Sequence, residues 1–407
     1  MLKNETYFID SCDDIELGIK RESKLEYRIT YDDEKTMRAI VFIIGGYGIN
    51  TDLQIMDFNR EFIAKKFDVV AVNVLYHCFG CRINAKDKKY SASFSYDEKD
   101  VEYFKEQLSK HGIVASSEIN KDNIQKHINS LESMLDFHKT KNTIAQNYEF
   151  CLTSTLIPSN NEYQNYGIMA AIDHINALKD IFKNFPNFKM LPKIYGGCSY
   201  GGYLSLLIAK IAPWYVNGVI DNSGEATLVL GCIMGKDLNF PDIYYNYKNF
   251  IIGCFIKTYW NSNKSSPYCF QDEHFLIRTL LNKEHLILQA QKNKNIIFIS
   301  YHSSNDLLTS CKNKTYLMEL LKLLNYQIDF HIITEKDIDG KFIKNLDHGC
   351  RITDKALFNK ELPLMLEKLK NKTFDMKEDS ISYPCKNKIF TFKDKGDQFV
   401  LEILQSL

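Results

Sequence analysis

Gly197-Cys198-Ser199-Tyr200-Gly201 decides the reading of this chain. A short β-type stretch, Lys193-Ile194-Tyr195, precedes it and is entered through Pro192. An apolar helical run, Gly202 to Lys210, follows and is stopped near Pro213. G-x-S-x-G between a strand and a helix predicts a tight turn that presents its serine in a strained backbone conformation. Small residues flank the serine because neighbouring strands pass close to such a turn. The helix that follows would aim its positive N-terminal end at negative charge developing beside the serine. Taken alone, the motif is equally met by a glycine-rich turn that happens to carry a serine.

The later part of the chain supplies two partners in order. Asn295 to Ser300 is a short apolar run of the kind that forms a buried strand, and Tyr301 to Asp306 follows it. Residues 314–324 place Leu317, Leu320, Leu321 and Leu324 on one helical face. Gln327 to Ile333 reads as another strand, and the loop 337–346 leads to Asp347-His348-Gly349. A serine hydroxyl is a poor nucleophile at neutral pH. A histidine can take its proton during attack and return it to the leaving group, and a carboxylate can hold the imidazole in the required tautomer. Ser199, His348 and Asp306 are therefore the candidate catalytic residues. The plainer alternatives are a helix-capping role for Asp306 and a surface loop for His348. Asp221 and Glu225, after the strand-like Val216 to Ile220, are rival acids, and Asp347 reads as a solvated neighbour.

Near the N-terminus, Arg38 to Ile44 is a strand run that ends in Gly45-Gly46-Tyr47-Gly48. Glycines there let backbone amides turn toward a tetrahedral oxyanion. The candidate donors are the amides of Tyr47, with Gly46 as substitute, and of Tyr200, the residue after the serine. A bare G-G-x-G could also bind phosphate or simply turn. It lacks the spacing and lysine of a phosphate-binding loop and the full G-x-G-x-x-G of a dinucleotide site.

On Gly45-Gly46-Tyr47-Gly48, Gly197-Cys198-Ser199-Tyr200-Gly201, Asp306 and Asp347-His348-Gly349, the chain resembles the α/β-hydrolase superfamily. The resemblance covers residues 38–369 apart from two insertions. It implies a mostly parallel central sheet with helices on both faces, helical cap insertions and, here, a small C-terminal β extension. More narrowly, the chain resembles a bacterial branch of hydrolase-like proteins associated with flagellar or surface-glycan gene clusters. That likeness ranks O-acylated sugars first among substrates. Many relatives carry a histidine before the oxyanion glycines, where this chain has Ile44 and Gly45.

The expected organisation follows. Residues 1–37 are leading antiparallel strands. Residues 38–79, 162–225 and 294–370 form the core. Residues 80–161 are a first insertion and lid candidate, with helical stripes over 97–111 and 120–138. Residues 226–293 are an aromatic cap insertion, and residues 371–407 a C-terminal β extension. Aromatic rings of the second insertion, Tyr244, Tyr259 and Trp260 among them, could stack on sugars or simply pack.

Composition narrows the function classes. Of 407 residues, 45% are hydrophobic and 25% charged, which excludes general disorder. Lys plus Arg and Asp plus Glu are 51 each, so no global basic field favours nucleic acid. No apolar window reaches membrane-spanning length. The 11 cysteines and a polar N-terminal stretch predict reduced thiols in a cytoplasmic protein. Cys78-Phe79-Gly80-Cys81 has no second pair to complete a zinc site, and it follows a strand run where ligands bind in open sheets. A pocket wall, a plain loop and a metal or redox pair all remain open for it. His77 and Arg82 are candidate substrate contacts, Arg82 suiting an anionic group. The expected partner is an acylated small molecule, with no metal and no organic cofactor; the oligomeric state is not legible. Acyl transfer, peptide cleavage and non-catalytic binding are the alternatives to ester hydrolysis.

Overall fold

The structure is a computed structural model and describes residues 1–48, 53–110, 112, 118–374 and 377–406. The chain divides into two units. The first comprises Met1–Phe79, Asn165–Leu228 and Phe270–Leu407.

In the first unit the alternating segments at the start of the chain become β1 (Leu2–Ile9) and β2 (Leu25–Asp32), paired antiparallel. The apolar runs become strands buried along their whole length: β3 (Ile40–Ile44), β4 (Val70–Leu75), β5 (Lys193–Cys198), β6 (Gly218–Asn222) and β7 (Ile297–Ser303). β8 (Gln327–Ile333) lies at the edge. They form one eight-stranded sheet in the order β1-β2-β4-β3-β5-β6-β7-β8. β2 runs against both its neighbours, and every pairing from β4 to β8 is parallel. Continuous apolar strands need cover on both faces. Val41, Ile43, Ile194 and Ile220 pack with Ile63 and Phe67 of the helix Leu53–Phe67 and with Leu357, Phe358 and Met365 of the helix Asp354–Leu369. Phe42 and Tyr195 point the other way and stack at 4.5 Å, and Phe42 meets His174 of the helix Ile168–Asn184. The parallel strands all end on one edge, where ligands of open sheets bind.

Three strands, Ser380–Cys385, Lys388–Lys395 and Gln398–Gln405, make an antiparallel C-terminal sheet. Buried Asp394 fastens it, accepting hydrogen bonds from Lys179 Nζ at 2.6 Å, Tyr215 Oη at 2.7 Å and Trp214 Nε1 at 3.1 Å.

The second unit comprises Gly80–Gln164 and Val229–Cys269. It holds a four-stranded sheet in the order Ser93–Ser95, Phe150–Ile157, Phe250–Ile256, Ile243–Asn246. The helices Glu98–Lys110 and Ile124–Thr140 cover it, and the apolar stripes Val101, Phe104, Leu108 and Ile124, Ile128, Leu131, Leu135 share one buried cluster with Phe150, Leu152 and Ile252. His111, the last residue of the first predicted helix, lies outside the described residues.

Two expectations change here. The sequence reading treats residues 80–161 and 226–293 as separate helical insertions; their central strands instead pair in parallel, Phe150 opposite Phe250, in one α/β unit. Phe150–Ile157 buries alternate side chains and cannot satisfy its backbone alone, so it needs that partner strand. Residues 270–293 belong to the first unit, as the helices Asp272–Arg278 and Lys283–Lys292. The anchor is Arg278, whose fully buried guanidinium pairs with Glu16 at 2.5 Å and donates to the carbonyls of Tyr166 and Asn165.

Candidate active site

The turn after β5 is built by close approach. A Cβ at Gly197 would lie 1.9 Å from the Ile44 carbonyl oxygen, and one at Gly201 would lie 2.0 Å from the same atom. The elbow therefore sits directly on the end of β3, and only glycine fits on either side of Ser199. Ser199 itself has φ 57 and ψ −123, a left-handed conformation that side chains avoid unless the surroundings impose it. The helix Tyr200–Ile211 starts at once, with Tyr203 N donating to the Ser199 carbonyl at 3.0 Å. The amides of its first turn carry the positive end of the helix dipole. Gly201→Ala is expected to cost about 1–3 kcal/mol or more, because its Cβ meets backbone rather than a movable side chain. Urea unfolding measures this, and an unchanged midpoint would contradict the packing described.

His348 stands on a short turn after a loop held by Ser303 Oγ, which donates to the Leu346 carbonyl at 2.6 Å. Gly349 follows at φ 75, a backbone that suits glycine. His348 Nε2 lies 2.7 Å from Ser199 Oγ, and His348 Nδ1 lies 2.8 Å from Asp306 Oδ2. Asp306 follows β7 and has a side chain of 0% exposure. It accepts from the amides of Leu308 and Thr309, each at 2.9 Å, and from Thr309 Oγ1 at 2.9 Å. Burial pushes this carboxyl upward, but the His348 hydrogen bond and the two amides outweigh it and hold the group down at about 2. An imidazole oriented by such a carboxylate keeps its Nδ1 proton and presents Nε2 as an acceptor to the hydroxyl.

The rival acids go elsewhere. β6 starts later than the sequence reading has it and runs through Asn222, so Asp221 lies inside the strand. There it meets Lys314 Nζ at 2.6 Å and Ser300 Oγ at 2.6 Å, both side chains of the ion pair being fully buried. Glu225 accepts from the Tyr166 hydroxyl.

Gly45 and Gly46 are buried at the end of β3, and Tyr47 is half-buried. The Tyr47 ring meets the Tyr200 ring edge to face at 5.4 Å, so this loop adjoins the elbow. His77 lies in the first unit with its backbone amide donating to Asp173 at 2.7 Å, and its ring is buried. Arg82 lies in the second unit and is half-buried. Cys78 and Cys81 are buried. Among the described residues, no group of three or more His, Cys, Asp or Glu side chains is arranged to hold a metal ion, and no helix is long and apolar enough to cross a membrane.

Sequence reasoning missed Thr309 and the Asn222-Ser223 turn. The polar side chains of all three are committed to the loops that carry the candidate triad. Thr and an Asn-Ser-Gly run after a strand carry no signal beyond an ordinary turn.

The sheet order, the serine turn and the helices on both faces define an α/β-hydrolase fold. The chain belongs to the family described as "Protein of unknown function (DUF2920)", whose family model matches residues 5–403. No protein of curated function matches it. Among solved structures it is similar to the Pyrococcus horikoshii acylaminoacyl peptidase, with 12% identity and a TM-score of 0.47, over 93% of this chain and 43% of that one. It is also similar to a thermostable esterase from Pseudomonas putida, with 10% identity and a TM-score of 0.39, over 90% and 81%. A third is the Bacillus coagulans carboxyl esterase, with 9% identity and a TM-score of 0.42, over 82% and 94%. The chain spans less than half the length of the peptidase it matches. Any functional reading rests on the chain's own residues.

Proposed function

We propose that this protein is a serine hydrolase that cleaves a carboxylic ester of a polar small molecule, with an O-acylated sugar as the preferred class. The observation that carries the reading is the continuous relay from Ser199 Oγ through the His348 ring to Asp306, with Ser199 held at positive φ on a strand-to-helix turn. Ser199 Oγ attacks the ester carbonyl and its proton passes to His348 Nε2. That proton then leaves with the departing alcohol as the acyl-enzyme forms. Water, deprotonated by His348, attacks the acyl carbon, and the proton returns to Ser199 as the acid is released. The amides of Tyr200 and Tyr47, with Gly46 as substitute, are the candidate donors to the oxyanion. The preference for a sugar ester comes from the sequence resemblance and the aromatic residues of 226–293, not from the triad.

The test is labelling of the purified chain with a fluorophosphonate, read by intact mass and peptide mapping beside Ser199→Ala. One label per chain at Ser199, absent from the variant, is expected, followed by release of acid from acetylated sugars or short-chain esters. A folded protein that takes no label and hydrolyses no small ester at neutral pH overturns the reading. Aminoacyl amides turned over faster than esters would make it a peptidase instead.

A further inference from the structure

The three loops that carry Ser199, His348 and Asp306 converge on a two-residue segment at the end of β6. The Asn222 carbonyl accepts the Ser199 amide at 2.7 Å. Asn222 Nδ2 donates to the Gly349 carbonyl at 2.9 Å, and the Gly349 amide donates to Ser223 Oγ at 3.2 Å. Both backbone polar groups of the residue after His348 are thus held by adjacent side chains of one strand end. On the acid side, Thr309 Oγ1 lies 2.9 Å from Asp306 Oδ2 and 3.4 Å from the Ser223 carbonyl. Ser223 N in turn donates to the Tyr301 carbonyl at 2.8 Å, fixing the segment to β7.

The segment is itself rigidly placed. Asn222 and Ser223 are both 0% exposed. Behind them, the buried Asp221 accepts the Gly224 amide at 2.8 Å while paired with Lys314. Ser223 has φ 56, a conformation that a non-glycine residue keeps only where its surroundings over-determine it. A serine tolerated there, when glycine would fit without strain, points to a use for its hydroxyl. The acceptor that hydroxyl provides to Gly349 is such a use.

We infer that Asn222 and Ser223 are positioning residues that set the separation of Ser199 and His348, an inference that rests on the serine-hydrolase reading above. Neither touches the reacting atoms. Asn222 fixes the elbow through its carbonyl, and the two side chains fix the histidine loop through Gly349. The 2.7 Å contact between Ser199 Oγ and His348 Nε2 is the quantity they control.

The decisive variant is Ser223→Gly. Glycine adopts positive φ freely, so a purely structural role predicts equal or higher stability and unchanged catalysis. A positioning role predicts an unchanged or raised thermal midpoint together with slower chemistry. Fluorophosphonate labelling of Ser199 and turnover of p-nitrophenyl acetate are measured on the full chain for Ser223→Gly, Asn222→Ala and the double variant. Val219→Ala, a buried change on the same strand, serves as control. The expected result is a loss of about 10²-fold in labelling rate and kcat with KM within about twofold, as for a reacting group displaced by an ångström. The double variant is expected to be no slower than the slower single, because both side chains hold one peptide unit. Val219→Ala is expected to lower the thermal midpoint and still label at the wild-type rate per folded molecule. If Asn222→Ala does not fold, Ser223→Gly decides alone. A wild type that labels while the folded variants label equally fast overturns the positioning role and leaves the hydrolase reading intact. A wild type that does not label overturns both.

Discussion

Asp306→Asn is expected to lower ester turnover about 10⁴-fold while leaving the chain folded. The two side chains have nearly the same shape, so the amides of Leu308 and Thr309 keep their acceptor at Oδ1. The change falls on Oδ2, which faces His348 Nδ1 at 2.8 Å and Thr309 Oγ1 at 2.9 Å. An amide nitrogen there donates where the carboxylate accepts. Thr309 adapts by rotating its hydroxyl. The imidazole adapts only by giving up its Nδ1 proton, which moves the ring proton to Nε2. His348 then presents a donor to Ser199 Oγ and cannot take the hydroxyl proton. The variant also loses the negative charge that stabilises the imidazolium formed during attack.

Kinetics on p-nitrophenyl acetate and the rate of fluorophosphonate labelling measure the effect. Glu225→Gln is the control, since Glu225 is bonded to Tyr166 rather than to His348. It is expected to stay within about tenfold of the wild type, a range that allows for a changed neighbour of the Tyr200 ring. An Asp306→Asn protein within tenfold of the wild type would exclude Asp306 as the partner of the histidine. Equal losses in the two variants would do the same.

The choice between Asp306 and its rivals shows where sequence is informative. The order strand, acid, helix, strand, histidine could be followed because each element has its own periodicity, and the strand Gln327–Ile333 falls on the residues the pattern marks. The exact end of β6 could not be followed. Val216 to Ile220 is as apolar as the observed strand, and the last two residues, Asp221 and Asn222, are polar. They belong to the strand because Lys314, Ser300 and Gly349 satisfy them in three dimensions, which a one-dimensional pattern does not contain. The helix Ile168–Asn184 begins where it does for a related reason. Tyr166 and Gly167 both have positive φ, and Arg278, more than a hundred positions later, holds the Tyr166 carbonyl.

The insertions failed for a different reason. Helical stripes at 97–111 and 120–138 were visible, and their helices form. The strands Phe150–Ile157 and Phe250–Ile256 pair across roughly a hundred residues of intervening chain. Phe150–Ile157 mixes polar and apolar residues and Phe250–Ile256 is a short apolar run, and neither shows in sequence which strand it pairs with. Only pairing converts Phe150, Leu152, Ile252 and Cys254 into a shared buried face. Of the site, the reactive residue types were legible because their chemistry restricts them. Asn222, Ser223 and Thr309 were not, because turn residues of these types occur wherever a strand ends.

Acidification from pH 7 to pH 4 is expected to remove on the order of 7 kcal/mol of stability, enough to unfold a domain of ordinary stability. The cause is three histidines of the first unit buried in their neutral form. Burial holds His174 down at about 4, His274 at about 4 and His285 at about 3. One nitrogen of each ring has a defined backbone partner. His174 Nδ1 faces the Ala170 carbonyl at 2.7 Å, and His285 Nε2 faces the Pro384 carbonyl at 3.0 Å. His274 Nδ1 accepts the Gln271 amide at 3.1 Å, which leaves the one proton of the neutral ring on Nε2. In the unfolded chain each would titrate near 6.5, so the unfolded state binds protons that the folded state refuses. A depressed folded pKa leaves the stability intact above 6.5 and removes it as the pH falls toward the folded value. Together the three histidines account for a loss of about 10 kcal/mol by pH 4. Asp354 acts in the opposite sense. Burial raises its carboxyl to about 6, so it takes up a proton in the folded state first and returns about 3 kcal/mol over the same range. Near pH 5 the balance is an uptake of about two protons on unfolding, or close to 3 kcal/mol lost per pH unit. Urea unfolding at intervals from pH 7 to pH 4.5 measures that slope. His174→Gln and His285→Gln are each expected to reduce it by about one proton's worth, whatever they cost at pH 7. A slope near zero between pH 6.5 and 5, or one unchanged in both variants, would mean that these rings are solvated when charged and that the packing around them opens without cost.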